Sequence, residues 1–463
     1  MNPFKNEDII AAISTPLGEG AISIIRISGK GSLELVGRVF KPRRKSLAFE
    51  EIPTHKMTLG YIVDKEGQSL DEVLICPMKA PYTYTKEDIV EIYCHGGVMA
   101  VQRVFDLILS MGARVAEPGE FTKRAFLNGR IDLAQAEAVL DIIRSRSQMG
   151  VDIALKQLSG RLSGVVESLR EELKGILVEV EAEIDFPDDV EASEKDERAE
   201  KIRGMIAKIE AIIGSADVGR IYREGLAAVL VGKPNTGKST LLNRLLGEQR
   251  AIVTDIPGTT RDIIEESINI KGIPLRLLDT AGVRMNAGTV ERLGIEKTKE
   301  AVERADIVIA LFDRTSPLQE DDRMVMEIIK GKRSIVLLNK VDVPDKKLDK
   351  KDIKDFVGDV PVIEISACSG WGLEELKNAV VEIVGVQRVT GEAVMITNAR
   401  HKAALERTRK SLKNALRAFE IGVPLDCIAV DLWEAWDCLG EITGATVNDE
   451  IIDQIFENFC IGK

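Results

Sequence analysis

The chain has 463 residues, length for about three domains, with 44% hydrophobic and 30% charged residues, a globular balance that excludes long disorder, collagen-like repeats and a disulfide-stapled miniprotein. A formal net charge of −12 does not favour bulk nucleic-acid binding, which needs clustered Lys and Arg, so any RNA contact is expected to be local. The six cysteines form no CxxC pair and only three histidines accompany them, which argues against zinc; with no signal-peptide pattern and no run of about 18 uncharged apolar residues, a cytoplasmic chain without membrane contact is expected.

Residues 1–118 carry short alternating β-branched runs, AISIIRISG, KMTLGYIVD, EVLICPM and DIVEIYCHGG, with one helical stretch, VMAVQRVFDLILSMGA. That pattern predicts a compact α/β domain, in which KPRRK (residues 41–45) is either a local RNA patch or a solvated loop. From 119 to 216 apolar residues recur at spacings of three and four, as in LAQAEAVLDIIRSRS and LREELKGILVEVEAEI, and predict helices, with DFPDDVEASEKDE as a turn or loop between them. Over 217–384 the strand runs GLAAVLVG, IPLRLLDTAG, ADIVIALFD, KRSIVLLNK and VPVIEISA alternate with helices, the signature of a mostly parallel, helix-covered sheet. Helical periodicity returns over 385–463 in HKAALERTRKSLKNALRAFEIG and AVDLWEAWDCLGEITG. The expected architecture is therefore multidomain, α/β plus all-α: an N-terminal α/β domain, a helical domain split into 119–216 and 385–463, and a P-loop nucleotide domain inserted between the halves. Two independent helical domains remain the alternative, because the last stretch is long enough to bury a modest core.

The inserted segment carries an ordered set of nucleotide motifs. GKPNTGKS (residues 232–239) follows a strand and opens a helix, so the backbone around Asn235, Thr236, Gly237 and Thr240 can close on phosphate oxygens while Lys238 supplies positive charge and Ser239 a ligand for Mg²⁺. DTAG places Asp279 near the metal's water shell and the Gly282 N–H near the γ-phosphate, with Thr280 and Ala281 between them. In NKVD, Asn339 and Lys340 precede Asp342, whose carboxylate can accept both N–H donors of the guanine edge and so selects GTP over ATP. In SAC, Ser366 precedes Ala367, whose N–H is expected to complete the base pocket.

A difficulty follows DTAG, where Val283 stands in the place of the glutamine that orients water in small Ras-type switches. TDIPGTTRD offers compensation: Thr260 is the natural Mg²⁺ ligand, and in the nucleotide-binding stretch Thr254, Asp255, Ile256, Pro257, Gly258 and Thr259 the two threonines and the backbone around Ile256 offer neutral oxygens. Those of Thr254, Thr259 and the Ile256 backbone, with Asn235, suit a large monovalent cation such as K⁺; an ordinary hydroxyl-rich turn is the alternative.

Over its whole length the chain resembles the MnmE (TrmE) family of tRNA-modification GTPases, through AAISTPLGEGAISIIRISG, EPGEFTKRAFLNGRIDLAQAEAV, TDIPGTTRD and FENFCIGK. The resemblance implies a homodimer whose paired nucleotide domains hold K⁺ on Asn235, Thr254, Ile256 and Thr259, and a catalytic Glu291 that orients water. Read alone, Glu291 is an acid in a helix's first turn. The resemblance further implies that 5-formyltetrahydrofolate or methylenetetrahydrofolate binds the N-terminal domain on Arg26, Glu91, Arg130 and Lys463, with Cys460 nearby as either a reactive thiol or an apolar contact. It implies an FAD-dependent partner of the MnmG (GidA) type in a heterotetramer, and addition of a carboxymethylaminomethyl-type group at C5 of a tRNA wobble uridine. Two positions depart from the usual pattern: Thr236 where alanine or valine is common, and Pro257 where alanine often precedes GTT, which stiffens that loop. A GTP-gated ribosome-assembly factor is the rival reading, disfavoured by the acidic charge and the FCIGK tail; a plain signalling switch is a second, separable by unassisted turnover.

Overall fold

The computed structural model describes residues 8–44, 46–186, 195–248, 266–278, 299–385 and 394–463. The chain divides into two compact units, one built from residues 1–140, 158–167 and 439–463 and the other from 141–157 and 168–438. No helix among the described residues is long and apolar enough to cross a membrane.

The first unit is organised by a seven-stranded sheet in the order β3-β4-β5-β6-β2-β1-β7. Its strands are β1 (Ile10–Ile13), β2 (Ile22–Ser28), β3 (Phe40–Pro42), β4 (Thr58–Val63), β5 (Ser69–Met78), β6 (Ile89–His95) and β7 (Arg114–Val115). All neighbours pair antiparallel except β1 and β7. Alternation in the sequence fixes which face is buried: Ser23, Ile25 and Ile27 of β2 pair with Cys94, Ile92 and Val90 of β6, and all six are buried. The same register sets Arg26 opposite Glu91 on the other face. Helix Val98–Ser110 joins the buried side through Val101, Val104, Phe105 and Ile108, a spacing that forms one helical stripe. Helices Glu120–Leu127 and Asp449–Glu457, far apart in sequence, share a cluster of Ala125, Ile131, Leu133, Ile452, Phe456 and Phe459.

A six-stranded sheet, β13-β12-β11-β8-β10-β9, organises the second unit. It comprises β8 (Leu226–Val231), β9 (Glu266–Ile270), β10 (Ile273–Leu277), β11 (Ile307–Asp313), β12 (Ser334–Asn339) and β13 (Val362–Glu364), parallel throughout except for β9 against β10. Strand β8 is buried along its whole length because both faces are covered: Leu226, Ala228 and Leu230 enter one core cluster, Val229 and Val231 the other. This is a Ras-like P-loop sheet.

Helices from both sides of this segment pack together. Lys195–Gly214 lies against Ala399–Ile421, with Lys413 to Glu210 at 2.6 Å and Arg203 to Glu420 at 3.0 Å. The helical domain is thus discontinuous, and the nucleotide fold is inserted within it. Gln148–Leu158 ties the two parts: Ile153 enters the sheet core, and Gln157 donates to the Met395 carbonyl at 3.0 Å.

Candidate functional sites

The nucleotide motifs converge because parallel strands deliver their C-terminal ends to one edge of the sheet. The phosphate loop follows β8 and runs into helix Lys238–Glu248, whose first-turn amides favour an anion. Its shape needs left-handed backbone at Asn235 (φ 64°) and positive φ at Gly232 (150°) and Gly237 (101°). Asn235, Ser239 and Thr240 are exposed, while Thr236 is fully buried. The Lys238 ammonium donates to the carbonyls of Gly232 (2.6 Å) and Lys233 (2.8 Å), and burial pushes its pKa down.

Asn339, at the end of β12, joins the phosphate and base motifs. Its Nδ2 donates to the Thr236 carbonyl at 2.7 Å, and its Oδ1 accepts the Ala367 N–H at 3.0 Å. The Ala367 N–H, expected at the guanine, is therefore engaged inside the protein, and through it the SAC loop is held against NKVD. Ser366 is fully buried and its hydroxyl accepts the Ser369 N–H. Lys340 has left-handed backbone (φ 69°) and its ammonium meets Asp313 at 2.6 Å. Burial alone would raise the Asp313 pKa, but the hydrogen bonds from Lys340 and Thr315 outweigh it and hold the carboxyl below its ordinary range. Asp342 is exposed, one residue beyond Val341, and free of strand structure.

Thr254, Asp255, Ile256, Pro257, Gly258, Thr259, Thr260, the four residues of DTAG, Val283 and Glu291 lie outside the described residues. Strand β10 ends at Leu277, parallel to and paired with β8.

A second constellation lies in the first unit. Arg26 and Glu91 form an in-register pair: Nε and Nη2 of Arg26 each approach Glu91 Oε1 at 2.9 Å. Arg26 Nη1 also donates to the Gly462 carbonyl at 3.2 Å, and the tail is held further by the Gly119 N–H to Cys460 O and the Phe121 N–H to Lys463 O. Lys463 is partly buried; burial, then the charge of Arg26, lowers its pKa. The guanidinium of Arg130 lies 4.7 Å from the Tyr84 ring centroid, with that of Arg26 at 5.6 Å. Cys460 is exposed. Three cations, Arg26, Arg130 and Lys463, separated by up to 437 positions, are thus gathered with the Glu91 carboxylate and the Tyr84 ring, so that positive charge is in excess.

The sequence reading singles out neither Tyr84 nor Tyr93. Tyr93 donates to Glu91 Oε2 at 2.7 Å; burial first, and Glu91 second, push its pKa up to about 12. Alternation along β6 puts Tyr93 on the face of Glu91 and is the signal that could have found it. No spacing rule points to Tyr84.

Comparison with known proteins covers both constellations. The model described as "GTP-binding protein TrmE N-terminus" matches residues 9–130, and that described as "MnmE helical domain" matches 133–460. The tRNA modification GTPase MnmE of Geobacillus kaustophilus is 46% identical over 98% of this chain and 99% of its own length. Those of Alkaliphilus oremlandii and Moorella thermoacetica are each 48% identical over 99% of this chain and cover 99% and 100% of their own lengths. With the nucleotide motifs and, of the second constellation, Arg26, Glu91 and Arg130 inside matched segments, and with relatives aligned over 98–99% of the chain, the chain belongs to the MnmE (TrmE) family of tRNA modification GTPases.

Proposed function

We propose that this protein is a GTP hydrolase acting in tRNA modification, and that it uses hydrolysis to drive addition of a carboxymethylaminomethyl-type group at C5 of the wobble uridine. The observation that carries the GTPase reading is the Asn339 bridge, which links the phosphate loop to the SAC loop through two buried hydrogen bonds. A binding site so connected recognises phosphate and base together, and Asp342 then selects guanine by accepting its two N–H donors. The domains proposed are 1–118, 119–216 with 385–463, and 217–384.

Mg²⁺ suits the hydroxyl of Ser239, exposed in the first turn of the phosphate-loop helix, with Thr260 as the second proposed side-chain ligand. When bound it neutralises charge between the β- and γ-phosphates. The proposed K⁺ ligands are Asn235, exposed beside the loop, and Thr254, Ile256 and Thr259. Glu291 replaces the missing glutamine as the residue that orients water, and a homodimer pairs the nucleotide domains.

Folate suits the second constellation: Arg26, Arg130 and Lys463 match its carboxylates, and Glu91 its pterin N–H donors. Bound there, it supplies the one-carbon unit. Glu91 is already bonded to Arg26 and Tyr93, which hold its carboxylate in place for a further donor at Oε2. Cys460, exposed three residues before Lys463, stands near this site as the proposed reactive thiol. An FAD protein of the MnmG (GidA) type is the proposed partner, and the cytoplasm the proposed location.

Nucleoside mass spectrometry of tRNA from cells lacking the protein tests the reading. Loss of the modified wobble uridine, restored by the wild-type chain and not by Lys238→Ala, is expected; unaltered wobble uridines overturn it. Turnover of GTP in K⁺ and Na⁺ buffers tests the cation, with equal rates removing it from the mechanism.

A further inference from the structure

The phosphate loop holds a second lysine whose ammonium is turned away from the Lys238 side of the loop. Lys233, the residue after Gly232, is 11% exposed at its side chain, and its Nζ donates to Ser316 Oγ (3.1 Å), Gln319 Oε1 (3.3 Å) and Asp322 Oδ2 (2.9 Å). Asp322 is buried, 3% exposed at its side chain, and the same Oδ2 accepts the Gln319 N–H at 3.0 Å. A buried ammonium without its carboxylate carries a large desolvation penalty, so this pair fixes where the Lys233 side chain can lie.

The backbone of Lys233 serves the other side of the loop. Its carbonyl accepts from Lys238 Nζ at 2.8 Å and from Thr236 Oγ1 at 3.0 Å. The segment receiving the Lys233 side chain is itself anchored to the base motif: Asp313 meets Lys340, the Arg314 N–H donates to the Asn339 carbonyl at 3.0 Å, and Arg314 Nη1 donates to the Val341 carbonyl at 3.3 Å. Residues 313–322 therefore form a strap from NKVD to the phosphate loop, separate from the Asn339 bridge.

We propose that Lys233 and Asp322 are a positioning pair that holds the phosphate loop in its nucleotide-binding shape and couples it, through residues 313–322, to the guanine-recognition end. The pair touches no substrate atom; it acts through the Lys233 carbonyl on Lys238 and Thr236.

The test uses the full chain and four variants: Lys233→Met, Lys233→Arg, Asp322→Asn and the double Lys233→Met/Asp322→Asn. Stopped-flow release of a fluorescent GDP, KM and kcat for GTP, and thermal melting are measured on each. Lys233→Met and Asp322→Asn are each expected to speed GDP release about tenfold and to raise KM for GTP similarly, with kcat changing less than KM. Lys233→Arg, which can donate to the same carboxylate, is expected to restore release to near the wild-type rate. The double variant is expected to be no worse than the worse single, since both remove one interaction. The proposal is overturned if Lys233→Met melts earlier yet releases GDP at the wild-type rate, if kcat falls with KM unchanged, or if the two single effects multiply in the double.

Discussion

Gly237→Ala should weaken guanine-nucleotide binding by about two orders of magnitude, and the reason lies at the base end of the site. An added Cβ would stand 2.2 Å from Asn339 Nδ2, and the backbone at this position has φ 101°. A side-chain end can usually swing aside, but Asn339 is buried and bonded at both ends, to Thr236 O and to the Ala367 N–H. Left-handed backbone costs an alanine about 1 kcal/mol, and each displaced buried hydrogen bond about 1 kcal/mol more. In the free protein the loop relaxes to escape this, and binding must restore it, so the sum of about 3 kcal/mol appears as roughly 100-fold lost affinity rather than as unfolding. Titration with a fluorescent GDP, alongside a melting curve, measures it; because the clash acts through Asn339, which joins the phosphate loop to the base motif and serves both nucleotides, GTP and GDP should lose affinity alike. A Kd within about threefold of wild type, or a loss confined to GTP, refutes the reasoning.

Glu91→Gln should lower the Tyr93 pKa from about 12 while leaving it above the ordinary phenol value, since burial is the larger cause and remains; ultraviolet titration of the phenolate reads this, and an unchanged midpoint refutes it. Arg124→Met should destabilise the chain by about 3 kcal/mol in urea unfolding, because a side chain 6% exposed now joins Asp8, Glu87 and Glu120, and its loss takes this cation from Glu87 and leaves Asp8 and Glu120 to Arg114. In Glu120 burial raises the pKa but Arg114 and Arg124 outweigh it and hold the carboxyl below its ordinary range. Its contribution is present at neutral pH and lost as the pH falls through that depressed value, so the deficit of Arg124→Met should shrink in acid. Removing residues 460–463 should speed hydrogen exchange at the Gly119 and Phe121 amides, which lose their carbonyl partners, and should leave GDP affinity unchanged.

What could be read from the sequence follows how local each requirement is. Phosphate binding needs a strand, a glycine-bearing turn and a helix start within about a dozen residues, so GKPNTGKS announced its place before any coordinates, and NKVD and SAC followed at strand ends. Alternation in β2 and β6 likewise separated the buried face from the one carrying Arg26 and Glu91. The partner of the Ala367 N–H was not legible, because a buried amide takes whichever acceptor the fold brings near, and the approach of Asn339 depends on the β12–β13 pairing. Lys233 was unreadable for a similar reason: its carboxylate lies 89 positions away, at the start of a helix the motif does not mention. Arg26, Glu91, Arg130 and Lys463 were found only through the family resemblance, since no spacing rule relates residues brought together by strand register and a docked tail.

The wide separation of those residues has a consequence for how the two constellations can fail. Ser14 bonds to the Gly462 carbonyl across 448 positions and Arg26 to the same carbonyl across 436, so the second constellation closes only when residues 439–463 return to the first unit. Loop-closure entropy grows only logarithmically with length, which makes such a closure affordable at equilibrium, yet contacts this distant form late. The nucleotide site has no such dependence: the phosphate loop, the strap, NKVD and SAC all lie between residues 226 and 368 on one sheet. A lesion in the tail therefore removes the Arg26 constellation and spares GTP binding, while a lesion at Asn339 does the reverse.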